Sequence, residues 1–179
     1  RKIGSPIDLA KKYYLSGADE LLIMDAVASL YNRNNLFEII EEACLSVFIP
    51  VCLGGGIRSL DDIKRALDAG ADKVAINTAA IKNIRIISDA AQIFGAQAIV
   101  GSIEAKRVGD DYLCYFDNGR EPSSISVKNW VKSLIDAGAG EILVTSIDVE
   151  GTRRGFDKKL IELVEDIASV PVVWSGGAG

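Results

Sequence analysis

Four carboxylates, Asp25, Glu104, Asp148 and Glu150, stand at or just beyond the ends of short apolar runs, and the chain has no histidine. Without imidazole the commonest general base and the commonest zinc ligand are both missing, so proton transfer falls to Asp, Glu, Lys, Tyr or Cys. One acid at such a position reads equally well as a helix cap; several converging on one mouth form the natural acid–base set. Two glycine turns follow other runs, Gly54-Gly55-Gly56 and Ser175-Gly176-Gly177. Bare backbone N–H groups in such turns cradle anions, although a tight turn needs glycine for its own sake. Cys44, Cys52 and Cys114 are an odd number at no metal-ligand spacing and are expected as free thiols. Neither a metal nor a cofactor is expected.

The elements that must position these groups alternate. Apolar, β-branched runs at 20–24, 48–53, 73–76, 98–103, 141–145 and 170–174 read as strands. Between them, 6–16, 36–43, 60–69, 83–94, 127–137 and 158–168 carry apolar residues three and four apart, the helical period. Ser5-Pro6 and Ser59 supply helix starts, and the glycines of Ser-Gly-Ala at 16–18 and Ala-Gly-Ala at 69–71 and 137–139 supply helix stops. Near-continuous apolar strands with intervening helices imply a parallel sheet covered on both faces. The chain also repeats at a constant offset of 121. Gly17-Ala18 returns as Gly138-Ala139, Leu21-Leu22-Ile23 as Ile142-Leu143-Val144, and the glycine pair 55–56 as 176–177. A duplicated unit of about four β-α modules makes an eight-module (β/α)₈ TIM barrel. The same offset carries two of its strands outside the sequence, so the expectation is a single barrel domain over 1–179, incomplete at both ends. An open six-stranded flavodoxin-type sheet is the alternative.

In such a barrel the loops after the strands hold the chemistry. Two glycine turns related by the repeat then suggest a substrate with a phosphate at each end. Glu20, Glu141 and Asp72-Lys73 occupy strand starts on the opposite face, where they form either a salt-bridged plug or a gated polar channel. Lys106 and Arg107, ahead of Gly109-Asp110-Asp111, read as solvated hairpin charges, with 112–116 as the returning strand and Asn118-Gly119 as a turn. Trp174 reads as a packing residue. With 25 acidic against 20 basic side chains and no basic block longer than a pair, the chain lacks the electrostatic footprint of a nucleic-acid binder. No apolar run approaches the roughly 20 residues of a membrane span, and a cytoplasmic protein is expected.

Asp25-x-x-Ala-Ser, Gly-Gly-Gly-Ile, Asp-Lys-Val-x-Ile-Asn-Thr-Ala-Ala, Ala-Lys-Arg-Val, Gly-Thr-x-x-Gly-Phe-Asp and Ser-Gly-Gly-Ala-Gly occur in that order along the chain. Together they resemble the cyclase subunit of imidazole glycerol phosphate synthase from histidine biosynthesis. The resemblance implies a lyase-type cyclase that works with a glutaminase subunit. Ammonia from that partner reacts with a bis-phosphorylated ribulosyl aminoimidazole-carboxamide ribonucleotide, giving imidazole glycerol phosphate and an aminoimidazole carboxamide ribotide. Carried over by position, Gly56, Asn77 and Thr78 hold one phosphate, and Gly151, Ser175 and Gly177 part of the other. Glu20, Lys73 and Glu141 match the ammonia gate, and Asp72 a glutaminase contact. Two positions depart from the family. Glu104 stands where a catalytic Asp is usual, and a shift of about an ångström can cost roughly 10²-fold; Glu150 also replaces a usual Asp, while Asp148 keeps its place. The resemblance extends to paralogues thought to deliver ammonia for amidino-sugar formation in surface-polysaccharide pathways, which need the gate but not the acid.

Overall fold

The computed structural model describes residues 5–25 and 35–179. It divides into two compact units, Arg1–Ala75 and Ile76–Gly179.

In the first unit, helices α1 (Pro6–Leu15), α2 (Asn35–Cys44) and α3 (Leu60–Asp68) alternate with strands β1 (Leu21–Met24), β2 (Val51–Gly54) and β3 (Lys73–Ile76). β1 pairs β2 in parallel from Leu21 opposite Val51 to Met24 opposite Gly54, and β2 pairs β3 in parallel. Every residue of β2 is buried, as a strand covered on both faces requires. Ala10, Leu21, Ala43, Val47 and Val51 form one buried cluster, so α1 and α2 press their apolar stripes onto the first strands. Ser59 begins α3 with a reciprocal capping box: its hydroxyl accepts from the Asp62 N–H while the Asp62 carboxylate accepts from the Ser59 N–H. Ser5 stands at the N-cap of α1 ahead of Pro6, but its side chain makes no capping bond.

The second unit contains α4 (Thr78–Lys82), α5 (Arg85–Phe94), a 3₁₀ turn (Ala96–Ala98), β4 (Ile99–Val108), β5 (Asp111–Phe116), β6 (Glu121–Ser126), α6 (Val127–Asp136), β7 (Glu141–Ser146), α7 (Lys158–Glu165) and β8 (Val172–Ser175). β4, β7 and β8 pair in parallel, whereas β5 and β6 add antiparallel to the far part of β4. β4 is long because it plays both parts. Its residues from Val100 to Ala105 pair with β7, and from Glu104 onward it runs out into a hairpin with β5. Ile99, Ile103, Leu134, Ile142 and Leu160 are fully buried between the sheet and its helices. Gly101 in β4 leaves room for Leu134 of α6, whose Cδ1 would lie 2.9 Å from any Cβ placed there.

The repeat at 121 is present in the backbone. α1 and α6 start and stop at matching positions, as do β1 and β7 at their first pairs, Leu21 opposite Val51 and Ile142 opposite Val172. Both helices end in a Schellman motif: Ala18 N–H donates to the Tyr13 carbonyl and Gly17 to Tyr14, then Ala139 to Leu134 and Gly138 to Ile135. Gly17 and Gly138, at φ 88° and 104°, are the left-handed residues that this stop requires. The expected strands and helices all form, most within three residues of their expected limits; β4 runs to Val108, five residues past the expected 103, because its far part is one side of the hairpin with β5. α4 and β6 are additions, and they are explained below.

Candidate functional site

Glu104 lies in β4 where the parallel and antiparallel ladders overlap, opposite Thr145 on one side and Tyr115 on the other. Its Oε2 accepts from the Gly119 N–H at 2.7 Å and from Asn77 Nδ2 at 2.9 Å. The turn that offers the Gly119 N–H is Asp117-Asn118-Gly119, three successive residues at φ 52°, 58° and 71°, a conformation Asn, Asp and Gly tolerate best. Asn77 also donates to the Tyr115 carbonyl, and Thr78 Oγ1 accepts from the Asp117 N–H. Asn77 and Thr78, at the junction of β3 and α4, thus tie the turn to the acid. Asn77 Oδ1 is buried without a hydrogen-bond partner among the described residues, an arrangement that costs stability until something donates to it.

Burial pushes the Glu104 carboxyl above the usual carboxylate range. The Gly119 N–H and the Asn77 amide pull it back, the nearby Asp117 charge pushes it up, and the net direction is upward. Such a carboxyl carries its proton closer to neutral pH, which suits a group that gives and takes one.

A second concavity, of about 450 Å³, opens between the loop after β7 and the turn after β8. Glu150, Gly151, Arg153, Phe156, Trp174, Ser175 and the 176–178 turn line it. Gly176 and Gly177 take φ of 95° and 87°, and a Cβ on Gly177 would run into the Gly155 backbone, whose N–H donates to the Gly177 carbonyl at 2.8 Å. Only glycine allows those two segments so close. Gly151, at φ 69°, has open space beside it. Gly151, Ser175 and Gly177 therefore meet at one concavity with a cation, Arg153, among its lining residues.

The remaining sequence candidates fall as follows. Gly56, at φ 73°, belongs to the first unit, where the neighbouring Gly55 packs against the Asp25 backbone and Asp25 N–H donates to the Gly54 carbonyl. Residues 26–29, which complete the Asp25-x-x-Ala-Ser motif, lie outside the described residues. Asp148 is engaged, its Oδ2 accepting from the Arg107 N–H at 2.8 Å. Lys73 Nζ pairs with Glu20 Oε2 at 2.9 Å, partly buried, and Asp72 exchanges bonds with Val51, its Oδ2 accepting from the Val51 N–H and its own N–H donating to the Val51 carbonyl. Glu141 opens β7 opposite Val100.

Lys106 sits over the Tyr115 ring and Arg107 approaches Asp110 at 4.0 Å, so both are hairpin charges. The three cysteines are free. Among the described residues no group of three His, Cys, Asp or Glu is placed to hold a metal, and no helix is long and apolar enough to cross a membrane.

Arg153, Phe156, Trp174 and the 117–119 turn are site features the sequence reading did not assign. Trp174 lines the concavity besides packing, and its position just before Ser175 was the available signal. Arg153, at φ 56°, is a side chain in glycine-type backbone, which no local pattern announces.

Parallel β-α modules with an acid at one strand end and a glycine turn bordering a concavity at another define a (β/α)-barrel type of protein. The profile of the family described as "Histidine biosynthesis protein" matches residues 1–179. The imidazole glycerol phosphate synthase subunit HisF of Legionella pneumophila is 54% identical over 180 residues, covering all of this chain and 85% of that protein. The HisF proteins of Myxococcus xanthus (strain DK1622) and Streptococcus mutans are 45% and 44% identical, spanning 100% and 99% of this chain and 71% of each relative. The chain belongs to the histidine-biosynthesis protein family, and its fold is that family's (β/α)₈-barrel type.

Proposed function

We propose that this chain is the cyclase subunit of imidazole glycerol phosphate synthase, acting in the cytoplasm on ammonia released by a HisH-type glutaminase, with residues 1–179 belonging to one barrel domain. Similarity along all of residues 1–179 to HisF proteins, 54% identical in the Legionella pneumophila case, carries the reading. In it, Gly56, Asn77 and Thr78 take one phosphate of the substrate, and Gly151, Ser175 and Gly177 the other. Glu20, Lys73 and Glu141 admit ammonia, with Asp72 at the glutaminase contact.

Ammonia must add to a carbonyl carbon, and an amine must leave. Both steps move protons, and Glu104, whose carboxyl burial pushes above the usual carboxylate range, is the group placed to supply or collect them. Asp148 and Glu150 complete the acidic set: Asp148 by fixing the backbone at Arg107, Glu150 from the wall of the concavity. Asn77 joins both tasks, since it lies in the phosphate set and donates to the acid.

Glu at 104 and 150, where the family usually has Asp, favours one second reading, a paralogue that delivers ammonia without cyclising. Supplying the bis-phosphorylated ribonucleotide with ammonium salt and no glutaminase separates the two. Substrate loss followed by absorbance is the expected result. Folded protein that stimulates a cognate glutaminase but consumes no substrate overturns the cyclase reading in favour of the paralogue.

A further inference from the structure

The β4–β5 hairpin carries no role in the reading above beyond bringing Glu104 to its place. Its rung Arg107 opposite Tyr112 nevertheless touches both ends of the loop that joins β7 to α7. At the near end, the Arg107 N–H donates to Asp148 Oδ2 at 2.8 Å. At the far end, the Tyr112 hydroxyl lies 2.9 Å from each carboxylate oxygen of Asp157. Asp157 is in turn the N-cap of α7, its Oδ1 accepting from the Leu160 N–H at 3.3 Å. The loop held between these two carboxylates is the one that presents Glu150, Gly151, Arg153 and Phe156 to the concavity.

Among the described residues, the loop between Asp148 and Asp157 forms no ladder; the hydrogen bonds it makes there are short-range turns, such as Thr152 to the Val149 carbonyl, and a stitch from Gly155 N–H to the Gly177 carbonyl, beside packing against the 176–179 turn. Arg153 sits in left-handed backbone, a conformation an L side chain keeps only where its surroundings impose it. Tyr112, by contrast, is 5% exposed and seated in a strand. Burial, then the Asp157 bond and charge, push its phenol up to about 12, so the hydroxyl remains a donor across the physiological range.

We propose that Tyr112 is a positioning residue for the phosphate-binding loop: by holding Asp157 while Arg107 holds Asp148, one hairpin rung sets where Gly151 and Arg153 meet the phosphate. The proposal rests on the reading of Gly151, Ser175 and Gly177 as a phosphate site. It gives the hairpin two tasks, carrying the acid at its base and fixing an anion loop from its tip.

The test uses the full chain and two variants. Tyr112→Phe removes only the hydroxyl. Asp157→Ser keeps a capping side chain for α7 but is too short to reach Tyr112. Inorganic phosphate is titrated while the backbone amides of Gly151, Gly177 and Gly56 are followed by NMR, and KM and kcat are measured with the bis-phosphorylated substrate and ammonium. Loss of one hydrogen bond to a charged group predicts phosphate binding at Gly151 and Gly177 weakened about tenfold and KM raised about tenfold, with kcat within about twofold. Binding at Gly56 stays unchanged, and the double variant is no weaker than either single one. Unchanged phosphate binding at Gly151 and Gly177 in either folded variant overturns the proposal, as does additivity in the double variant. Absence of turnover in the unaltered protein overturns the cyclase reading alone, because the phosphate titration is still read.

Discussion

The described residues of the segment from α1 to the Gly54-Gly55-Gly56 turn and their counterparts in the segment from α6 to Ser175-Gly176-Gly177 share strand, helix-stop and turn geometry and are furnished differently. Gly55 and Gly176 take φ of 85° and 95°, and each packs against backbone at the end of the preceding strand of its own segment, Asp25 just after β1 in one and Ser146, the last residue of β7, in the other. Met24 pairs Gly54 just as Thr145 pairs Ser175. The side chains have diverged around that frame. Asp25 is replaced by a buried Ser146, and the second segment carries Glu150 and Arg153 beside its turn. Under the proposed function, a duplicated backbone suits a repeated group such as phosphate, which N–H groups and left-handed glycines can recognise. Chemistry that must differ at the two ends of a substrate is left to side chains, and to the hairpin that brings Glu104.

The comparison can be broken or sharpened at several points. The largest effect is expected where the chemistry is not duplicated: Glu104→Gln, which keeps an oxygen to accept from Gly119 and Asn77, should lower kcat/KM about 10³-fold with the melting temperature maintained. Next come the paired turns. Gly55→Ala and Gly176→Ala each force a side chain into left-handed backbone against neighbouring main chain, and both should lose about 2 kcal/mol, read as equal shifts in chemical denaturation. Gly151→Ala, with open space beside it, should lose only about 1 kcal/mol. Unequal losses at 55 and 176 would break the equivalence of the two frames.

A smaller effect concerns pH. The Glu104 carboxyl is raised in the folded protein, chiefly by burial, so the unfolded chain releases this proton first. Stability from this group therefore falls as pH rises from the unperturbed Glu value, about 4.3, through the raised folded value, and Glu104→Gln should flatten that slope. The smallest effect separates the two segments again. Ser126 caps α6 by accepting from the Asn129 N–H, whereas Ser5, its counterpart, makes no such bond. Ser126→Ala should lower stability by about 0.5–1 kcal/mol, and Ser5→Ala should leave the melting curve in place.

Most of the frame was legible because it is written in local patterns: apolar runs of strand length, helical spacing, and glycines where a Schellman stop needs one. The repeat pointed to the paired turns directly. β6 was not legible, because Glu-Pro-Ser-Ser-Ile-Ser has neither alternation nor β-branched density, and Pro122 is tolerated only because the strand has a single partner, β5. Five-residue α4 is too short to show a period. Within the candidate site, Glu104 and the glycines could be picked out one by one, since strand ends and turns are local features. Its partnership with Gly119, and that of Tyr112 with Asp157 across 45 positions, depend on how a hairpin folds back, which spacing does not encode.

In the proposed function, two copies of one turn each take a phosphate while Glu104 does the proton chemistry. Its most direct test is a crystal structure of Glu104→Gln with the bis-phosphorylated ribonucleotide bound. The account predicts one phosphate on the amides at Gly56, Asn77 and Thr78 and the other at Gly151, Ser175 and Gly177, with residue 104 facing the sugar carbon that ammonia attacks. A phosphate bound away from either turn, or residue 104 turned away from that carbon, would contradict it.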